Sequence, residues 1–202
     1  DVVAKTKEFV NMKPPIPADA YADEYVFRGP IIGPLGHKEV VDTQAGFDLM
    51  GAFPDLEREC FGYSVDPQNP FRCLFFERWT ATMTGELKIG PLRVPPTGKR
   101  VELPLWTSSY VWNPEGRIIY GSVSNPIDRF EGTTNAGAVI GLLEAAGVDA
   151  GGNVGDSWLI ARQRLNQAIS FAGKTWSAEE DIPSWWKSKA RGADPTDTKS
   201  SS

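Results

Sequence analysis

The run of strand-like segments in the middle of the chain constrains the fold most. Between residues 57 and 127, stretches rich in β-branched and aromatic residues follow one another, separated by short turn clusters at 66–70 and 113–116. Connections this short leave no room for a crossover helix, so neighbouring strands must run antiparallel. The pattern predicts strands over 57–65, 71–87, 101–112 and 117–127, with a proline-containing loop over 90–98.

Helical patterns flank these strands on both sides. Residues 3–12, 36–50 and 134–147 carry apolar side chains at helical spacing, and Asp156 can cap a further helix that runs to Phe171. Asp19 is expected to cap a helical turn through Tyr25, after which Tyr25–Phe27 reads as a first short strand. Helices before and after a block of strands predict the α+β class.

The chain of 202 residues is long enough for one domain with extensions at both ends. We expect an N-terminal arm over 1–19, a domain over 20–147, a helical extension over 148–190 and a polar tail over 191–202.

Charge and composition exclude several classes of function. The net charge of −5 argues against nucleic-acid binding, which needs cationic surface. No apolar run reaches the roughly 18 residues of a membrane span. His37 is the only histidine, and no metal-ligand spacing is present, so no metal site is predicted. Cys60 and Cys73 lie on adjacent predicted strands and are expected to be free thiols rather than a disulfide framework.

Four short motifs in the middle of the chain resemble the SnoaL-like, or polyketide cyclase-like, branch of the NTF2-like superfamily. They occur in the family's order and at nearly its spacing. They are Phe53–Leu56 ("FPDL"), Arg78–Leu87 (a shortened "RWT-x-TGTHTGEF"), Pro95–Lys99 ("PPTGK") and Gly116–Ile118 followed by Asp128 ("dGKI…D").

The resemblance implies a strongly curved sheet wrapped on helices into a cone around an internal pocket. It also implies small-molecule chemistry that needs no cofactor, because members of the family include cyclases, dehydratases, isomerases and hydrolases. Other members only bind small molecules or proteins. Function must therefore be argued from the residues that face inward.

Two carboxylates are candidates for acid–base chemistry. By the resemblance, Asp128 matches the aspartate that moves a proton beside a carbonyl in the cyclases. By strand alternation, Glu77 shares an apolar face with Phe75 and Trp79. An ion pair with Arg58 or Arg117 is the alternative role for Glu77. Met83 stands where the family has histidine, which favours an apolar ligand, or no ligand, over cyclase chemistry.

Aromatic residues on the predicted strands are candidates for the wall of a pocket that takes a flat hydrophobic molecule. The alternative is ordinary packing between sheet and helices. The predicted ligand-binding residues are Trp79, Met83, Trp106, Tyr110, Trp112 and Tyr120.

The C-terminal extension has no counterpart in the resemblance. Its Trp185–Trp186 pair is costly to leave in water, so it must cover either the chain's own sheet or a protein partner. A homodimer through the open face of the sheet is a further expectation from the resemblance. Tyr25–Pro30 and Asn125–Phe130 also resemble NTF2-like proteins of algae, which implies an imported plastid protein whose transit segment was removed.

Two functions stay open on the sequence. One is a pocket protein for a hydrophobic small molecule, with lyase, isomerase or hydrolase chemistry through Asp128. The other is a non-catalytic scaffold subunit of a larger complex.

Overall fold

A computed structural model gives the fold and describes residues 1–13, 15–46, 48–127, 131–149, 156–169 and 174–187. The chain begins with helix α1 (Val2–Val10), whose first turn is capped by the Asp1 carboxylate accepting from the Val3 N–H. A 3₁₀ turn (Ala18–Ala20) leads into strand β1 (Tyr21–Arg28). The helical turn predicted through Tyr25 is therefore wrong. Parallel pairing with a later strand satisfies the backbone of this segment and buries Tyr21 and Tyr25.

The predicted helix over 36–50 is divided. A short strand β2 (Leu35–Gly36) leads into helix α2 (His37–Gly46), and the four-residue helix α3 (Leu49–Ala52) follows. The Asp48 carboxylate accepts from the Gly51 N–H and caps α3, so a second helix starts where one continuous helix was expected.

The strands that follow are β3 (Glu57–Val65), β4 (Arg72–Thr82), β5 (Leu87–Ile89), β6 (Leu92–Val94), β7 (Arg100–Glu102), β8 (Trp106–Trp112) and β9 (Ile118–Pro126). The predicted strand 71–87 ends at Thr82, and β6 lies inside the predicted loop 90–98. The predicted strand 101–112 is interrupted at 103–105 because Pro104 has no N–H for the ladder.

The main sheet has the order β2-β1-β9-β8-β4-β3, with β7 also pairing to β4. Only the β1–β9 pairing among the described strands is parallel. The sheet curls into a half-barrel with helices against it, which confirms the predicted α+β class and is consistent with the cone. Helix α4 (Ala138–Ala145) follows the last strand, and α5 (Ser157–Ile169) and α6 (Ser184–Lys187) complete the described helices.

The inner face of the sheet carries two hydrophobic cores. The first, here called the α4-side core, contains Phe53, Trp79, Met83, Trp106 and Leu142 among its buried members. The second, the α1-side core, contains Phe9, Tyr21, Tyr25, Phe75 and Trp112. Helix α1 lies within the arm that the sequence sets apart from the domain, yet Phe9 is buried in this second core. The predicted domain boundaries otherwise stay predictions.

Residues 174–187 pack on the β1 side of the sheet. The Gly33 N–H donates to the Thr175 carbonyl, and the Ser177 N–H donates to the Pro34 carbonyl. The Ser177 hydroxyl accepts from the Gly36 N–H at 2.7 Å and donates to Glu39 Oε2 at 2.8 Å. These bonds hold the end of the described chain beside β2.

Among the described residues, no helix has both the length and the apolar character that crossing a membrane requires. Both cysteines are free. Cys60 lies opposite Glu77 in the β3–β4 register, and Cys73 lies four positions earlier on β4. At roughly 3.3 Å per residue that offset is about 13 Å, beyond the roughly 7 Å that a disulfide bridges.

Candidate ligand site on the inner face of the sheet

Strand β4 sets the inner face by strict alternation of burial. Every second residue from Cys73 to Ala81 is buried, so Phe75, Glu77 and Trp79 point inward, as the alternation predicts. Phe75 belongs to the α1-side core and Trp79 to the α4-side core. Glu77, at 2% exposure, therefore lies at the boundary between the two cores.

The described residues donate hydrogen bonds to only one oxygen of the Glu77 carboxylate. Its Oε2 accepts from Trp79 Nε1 at 2.8 Å and from Arg58 Nη2 at 3.3 Å. The predicted alternative of an ion pair with Arg58 is thus present. No donor within the described residues reaches Oε1.

Arg58 links this carboxylate to the N-terminal helix. Its Nη1 donates to the Val10 carbonyl at 3.0 Å, at the C-terminal end of α1. Its guanidinium lies over the Trp79 ring at 5.0 Å from the centroid. Stacking and two hydrogen bonds fix the guanidinium, so the position of Glu77 depends on both β3 and α1.

Tyr110 reaches the same region from β8. It is half-buried, and its ring makes contacts with Phe9 at 5.1 Å and Phe75 at 5.5 Å between centroids. Burial, followed by the negative charge of Glu77, raises the pKa of Tyr110 above its ordinary value. Its hydroxyl has no hydrogen-bond partner in the part of the chain that the structure describes.

Two further half-buried side chains of β3 face this region. Burial and then the Glu77 charge raise the pKa of Cys60 to about 11, which keeps the thiol protonated at neutral pH. Tyr63 stacks on Phe75 at 5.2 Å, and burial raises the pKa of its hydroxyl. We call the set Arg58, Cys60, Glu77, Trp79 and Tyr110 the Glu77 site. The Tyr110 hydroxyl and the Cys60 thiol of this site are neutral, and the ion pair between Arg58 and Glu77 has no net charge.

The other predicted pocket residues are distributed differently. Trp79, Met83 and Trp106 pack together in the α4-side core at 8%, 0% and 0% exposure, and Leu142 of α4 is buried with them. Trp112 lies in the α1-side core and donates from Nε1 to the Thr6 hydroxyl. Of these four, Trp79 is the one that also touches the Glu77 carboxylate.

Tyr120 lies opposite Val111 in the β8–β9 register, one position out of phase with Tyr110 and Gly121. It therefore points to the other face of the sheet, where it contacts Trp185 at 6.0 Å and Trp186 at 5.6 Å. Trp186 is buried there with Val26 and Ile182. These contacts are with the chain's own sheet, which is the first of the two alternatives for the extension.

Asp128 lies outside the described residues, and its predicted role stays a prediction. His37 is the first residue of α2, 4.0 Å from Asp23. Within the described ranges, no group of three or more histidine, cysteine and acidic side chains is arranged to hold a metal.

Sequence reasoning missed Tyr63, Cys60 and Phe9 as neighbours of the site. The alternation of β3 is broken by a register shift between Phe61 and Ser64, where Gly62 has a φ of +66°. Because of this irregularity, the sequence pattern of β3 alone does not predict which of its residues face inward. Phe9 reaches the site only because α1 docks on the sheet, a contact with no local signal.

No protein-family model matches the sequence, and no curated protein matches it. Solved structures do match. A SnoaL-like protein from Jannaschia sp. CCS1 is 18% identical with a TM-score of 0.37, and the match covers 52% of this chain and 66% of that one. An NTF2-like protein of unknown function from Exiguobacterium sp. 255-15 is 12% identical with a TM-score of 0.34, covering 52% of this chain and 76% of that one.

A steroid delta-isomerase from Pseudomonas aeruginosa also matches, at 12% identity and a TM-score of 0.37, over 84% of this chain and 94% of that one. In fold, this chain is similar to SnoaL-like and NTF2-like proteins. At such identities and TM-scores the likeness says nothing about activity, so the chemistry has to come from this chain's own residues.

Proposed function

We propose that this chain binds a small, largely apolar molecule at the Glu77 site and can move a proton on it. The observation that carries the proposal is a buried carboxylate on an apolar inner face: Glu77, at 2% exposure, accepts from Trp79 and Arg58 through Oε2. Carboxylates are seldom fully buried in a protein, so one on an apolar face that also carries aromatic rings is a candidate for a functional group.

The chemistry that fits is proton transfer next to a carbonyl. A carboxylate takes the proton from the carbon, the electron pair moves to the carbonyl oxygen, and that oxygen accepts a hydrogen bond from Tyr110. Return of the proton to carbon closes the cycle without any cofactor. Asp128 is the acid–base group by resemblance, and Glu77 is the second candidate because of its place at the site.

Binding is tested with the uncharged dye N-phenyl-1-naphthylamine, whose emission rises in apolar surroundings. The variant Cys60→Phe fills the site beside Glu77 and should weaken dye binding about tenfold or more. Phe61→Leu changes the adjacent outward position and is the matched control, expected to leave the affinity unchanged. Equal binding by both variants and the wild type would place the dye elsewhere and refute the site.

Proton transfer is tested with 1-indanone in D2O, by following loss of the C2 proton signal in NMR spectra. The wild type should accelerate exchange, and Asp128→Asn or Glu77→Gln should lower the rate by roughly 10²-fold or more if that carboxylate is the base. If exchange proceeds at the rate of the buffer alone while dye binding is intact, the binding proposal stands and the catalytic proposal is refuted.

A non-catalytic scaffold subunit is the second candidate, and α5 favours it. This helix presents Trp158, Leu165 and Ile169 at 72%, 62% and 60% exposure, on the predicted extension. Such a face is costly in water and suits a protein partner. Size-exclusion chromatography of native extract tests it: migration as a free monomer or homodimer, without another protein, counts against this function.

A further inference from the structure

The outer face of the main sheet carries a cleft that the proposed function does not use. Its volume is about 290 Å³, and its apolar floor is formed by Val111 of β8 with Ile119 and Tyr120 of β9. Trp185 lines it on the β1 side and Arg72 on the β4 side. Arg72 pairs with Val111, and Val111 pairs with Tyr120, so these three side chains lie side by side on one face.

An irregularity of β9 adds a side chain to this floor. Val111 pairs with Tyr120, whereas the next residue of β8, Trp112, pairs with Ile118. Ile119 is therefore an extra residue of β9, as in a β-bulge, and Ile119 and Tyr120 both line the cleft. Bulges re-aim side chains in this way and are over-represented next to functional sites.

The aromatic wall of the cleft is held in place by the sheet. Trp185 Nε1 donates to the Glu24 carbonyl at 3.3 Å, and the Trp185 ring meets the Tyr120 ring at 6.0 Å with 81° between their planes. Trp185 is half-buried beside the buried Trp186. A ring that is already fixed offers apolar contact to a ligand at little cost in side-chain freedom.

The β4 end of the cleft is polar and offers hydrogen-bond donors. Arg72 Nη1 donates to Asp66 Oδ2 at 3.3 Å, and the buried Nε of Arg72 has no hydrogen-bond partner among the described residues. Asn69 lines the same end, since its carbonyl accepts from the Arg72 N–H. Its side-chain oxygen accepts from the Phe71 N–H, which leaves the amide nitrogen as a donor. Donors at this end favour a ligand with acceptor oxygens.

Arg78 shows that a guanidinium on this face can take two carboxylates. It lies further along β4 and faces the same side as Arg72 by alternation. It forms ion pairs with Glu59 at 3.3 Å and with Glu131 at 2.9 Å. Arg72 has one carboxylate partner within the described ranges, Asp66. A carboxylate brought by a ligand would give Arg72 the arrangement that Arg78 already has.

We propose that this cleft binds an arylalkyl monocarboxylate, with the carboxylate on Arg72 and the ring against Tyr120 and Trp185. Arginine pairs with a carboxylate through two parallel hydrogen bonds, which fixes the orientation of the ligand. The backbones of Arg72 and Tyr120 lie two strands apart, about 10 Å at roughly 4.8 Å per strand, so a short linker between carboxylate and ring fits the span.

Glu24 is the one acidic residue that lines the cleft, and its charge does not oppose this ligand. It is exposed and lies on β1, three strands from Arg72, so their backbones are about 14 Å apart. That distance exceeds the Debye length of about 8 Å at physiological ionic strength, and the repulsion of a carboxylate on Arg72 is screened.

The experiment compares four probes on the whole chain by isothermal titration calorimetry: 3-phenylpropanoate, 3-phenylpropanamide, 3-phenylpropan-1-amine and propanoate. We expect 3-phenylpropanoate to bind about tenfold more tightly than its uncharged amide, since charge-assisted hydrogen bonds are about twice as strong as neutral ones. The amine has the wrong charge and propanoate lacks the ring, so both should bind more weakly than 3-phenylpropanoate by about tenfold or more.

Three outcomes overturn the proposal: no measurable binding of 3-phenylpropanoate, an amide that binds as tightly as the carboxylate, or an amine that binds more tightly than the amide. Displacement of N-phenyl-1-naphthylamine by 3-phenylpropanoate would also overturn it, because the probe would then occupy the Glu77 site on the other face. Since the two sites lie on opposite faces, failure here leaves the proposed function as it stands.

Variants then assign the binding to Arg72. Arg72→Met should lower the affinity for 3-phenylpropanoate about tenfold and leave that for the amide unchanged. Arg78→Met is the matched control, because Arg78 lies on the same strand and face and its buried Nε also lacks a partner among the described residues, yet it does not line the cleft. Equal losses in both variants would contradict the assignment. The probe series on the wild type decides the matter if a variant does not fold.

Discussion

The two cores on the inner face differ in the polarity of the side chains that border them. The α4-side core is apolar, with Met83, Trp106, Leu103 and Leu142 each at 0% exposure. The α1-side core is bordered by half-buried polar side chains, among them Tyr110, Tyr63 and Cys60. One end of the concave face is thus packed with apolar side chains, whereas the boundary at Glu77 carries polar ones. We expect the first end to contribute more to stability than the second.

The largest effect is expected in the α4-side core. Trp106→Ala removes a fully buried ring that packs on Trp79 at 5.4 Å, and it should lower the free energy of unfolding by about 3–5 kcal/mol. Urea denaturation followed by circular dichroism measures it. A loss below about 1 kcal/mol would show that this end is not the stabilising one.

The next effect belongs to Arg58. Arg58→Met leaves the buried Glu77 carboxylate without its cation, and the side chain of Arg58 is itself only 20% exposed. After allowing for that partial exposure, we expect a loss of about 2–3 kcal/mol at neutral pH. The double variant Arg58→Met/Glu77→Gln should recover most of it. If the double variant is no more stable than the single one, the pairing is not the cause.

The pH-dependent reactivity of the Cys60 thiol gives a further test of the comparison between the two cores. Burial raises the pKa of its thiol from 9.0 to about 11, so near neutral pH the thiolate is about a hundredfold scarcer than in the unfolded chain. A raised pKa favours the protonated thiol, so its contribution to stability is present below pH 9.0 and is lost as the pH rises towards about 11.

Iodoacetamide labelling of the Cys73→Ser variant measures this reactivity, which should climb steeply above pH 9.0. The Cys60→Ser variant reports Cys73 and is the control. Labelling of Cys60 at the rate of a small-molecule thiol at neutral pH would mean that this part of the site is open to bulk water.

The smallest effect on stability is expected at Tyr110. Because its hydroxyl has no partner among the described residues, Tyr110→Phe should change the free energy of unfolding by less than about 0.5 kcal/mol. Tyr21→Phe loses the bond to Gln44 and should cost about 1 kcal/mol. If Tyr110→Phe costs as much as Tyr21→Phe, the Tyr110 hydroxyl is satisfied within the chain, and it is not free for a ligand.

Part of the site was readable from the sequence because β4 alternates strictly. That alternation predicts Glu77 on an inward face with Phe75 and Trp79, and it leaves an arginine partner as an alternative role. The alternation also places Trp106 and Tyr110 on one face of β8. It does not tell which of these residues is packed solid and which keeps an open side, since that depends on the helices that cover each position.

The residues of β1 alone did not predict that this whole segment forms a strand. Tyr21–Arg28 is an extended strand because β9, nearly a hundred residues later, pairs with it in parallel. In the same way, Tyr120 was expected beside Tyr110 in the pocket wall. Its pairing with Val111, one position from the Tyr110–Gly121 pair, turns it to the outer face, under Trp185 and Trp186.

Local periodicity and turn chemistry by themselves determined the fold class, the run of antiparallel strands and the inward face of β4, because these follow from contacts between near neighbours. Only the tertiary structure decided that α1 docks at the Glu77 site, that Arg58 joins Glu77 to Val10, and that Trp79 and Arg58 both donate to Oε2 of the carboxylate. These features arise where segments distant in the chain meet, and whether a buried polar atom is satisfied depends on every group packed around it.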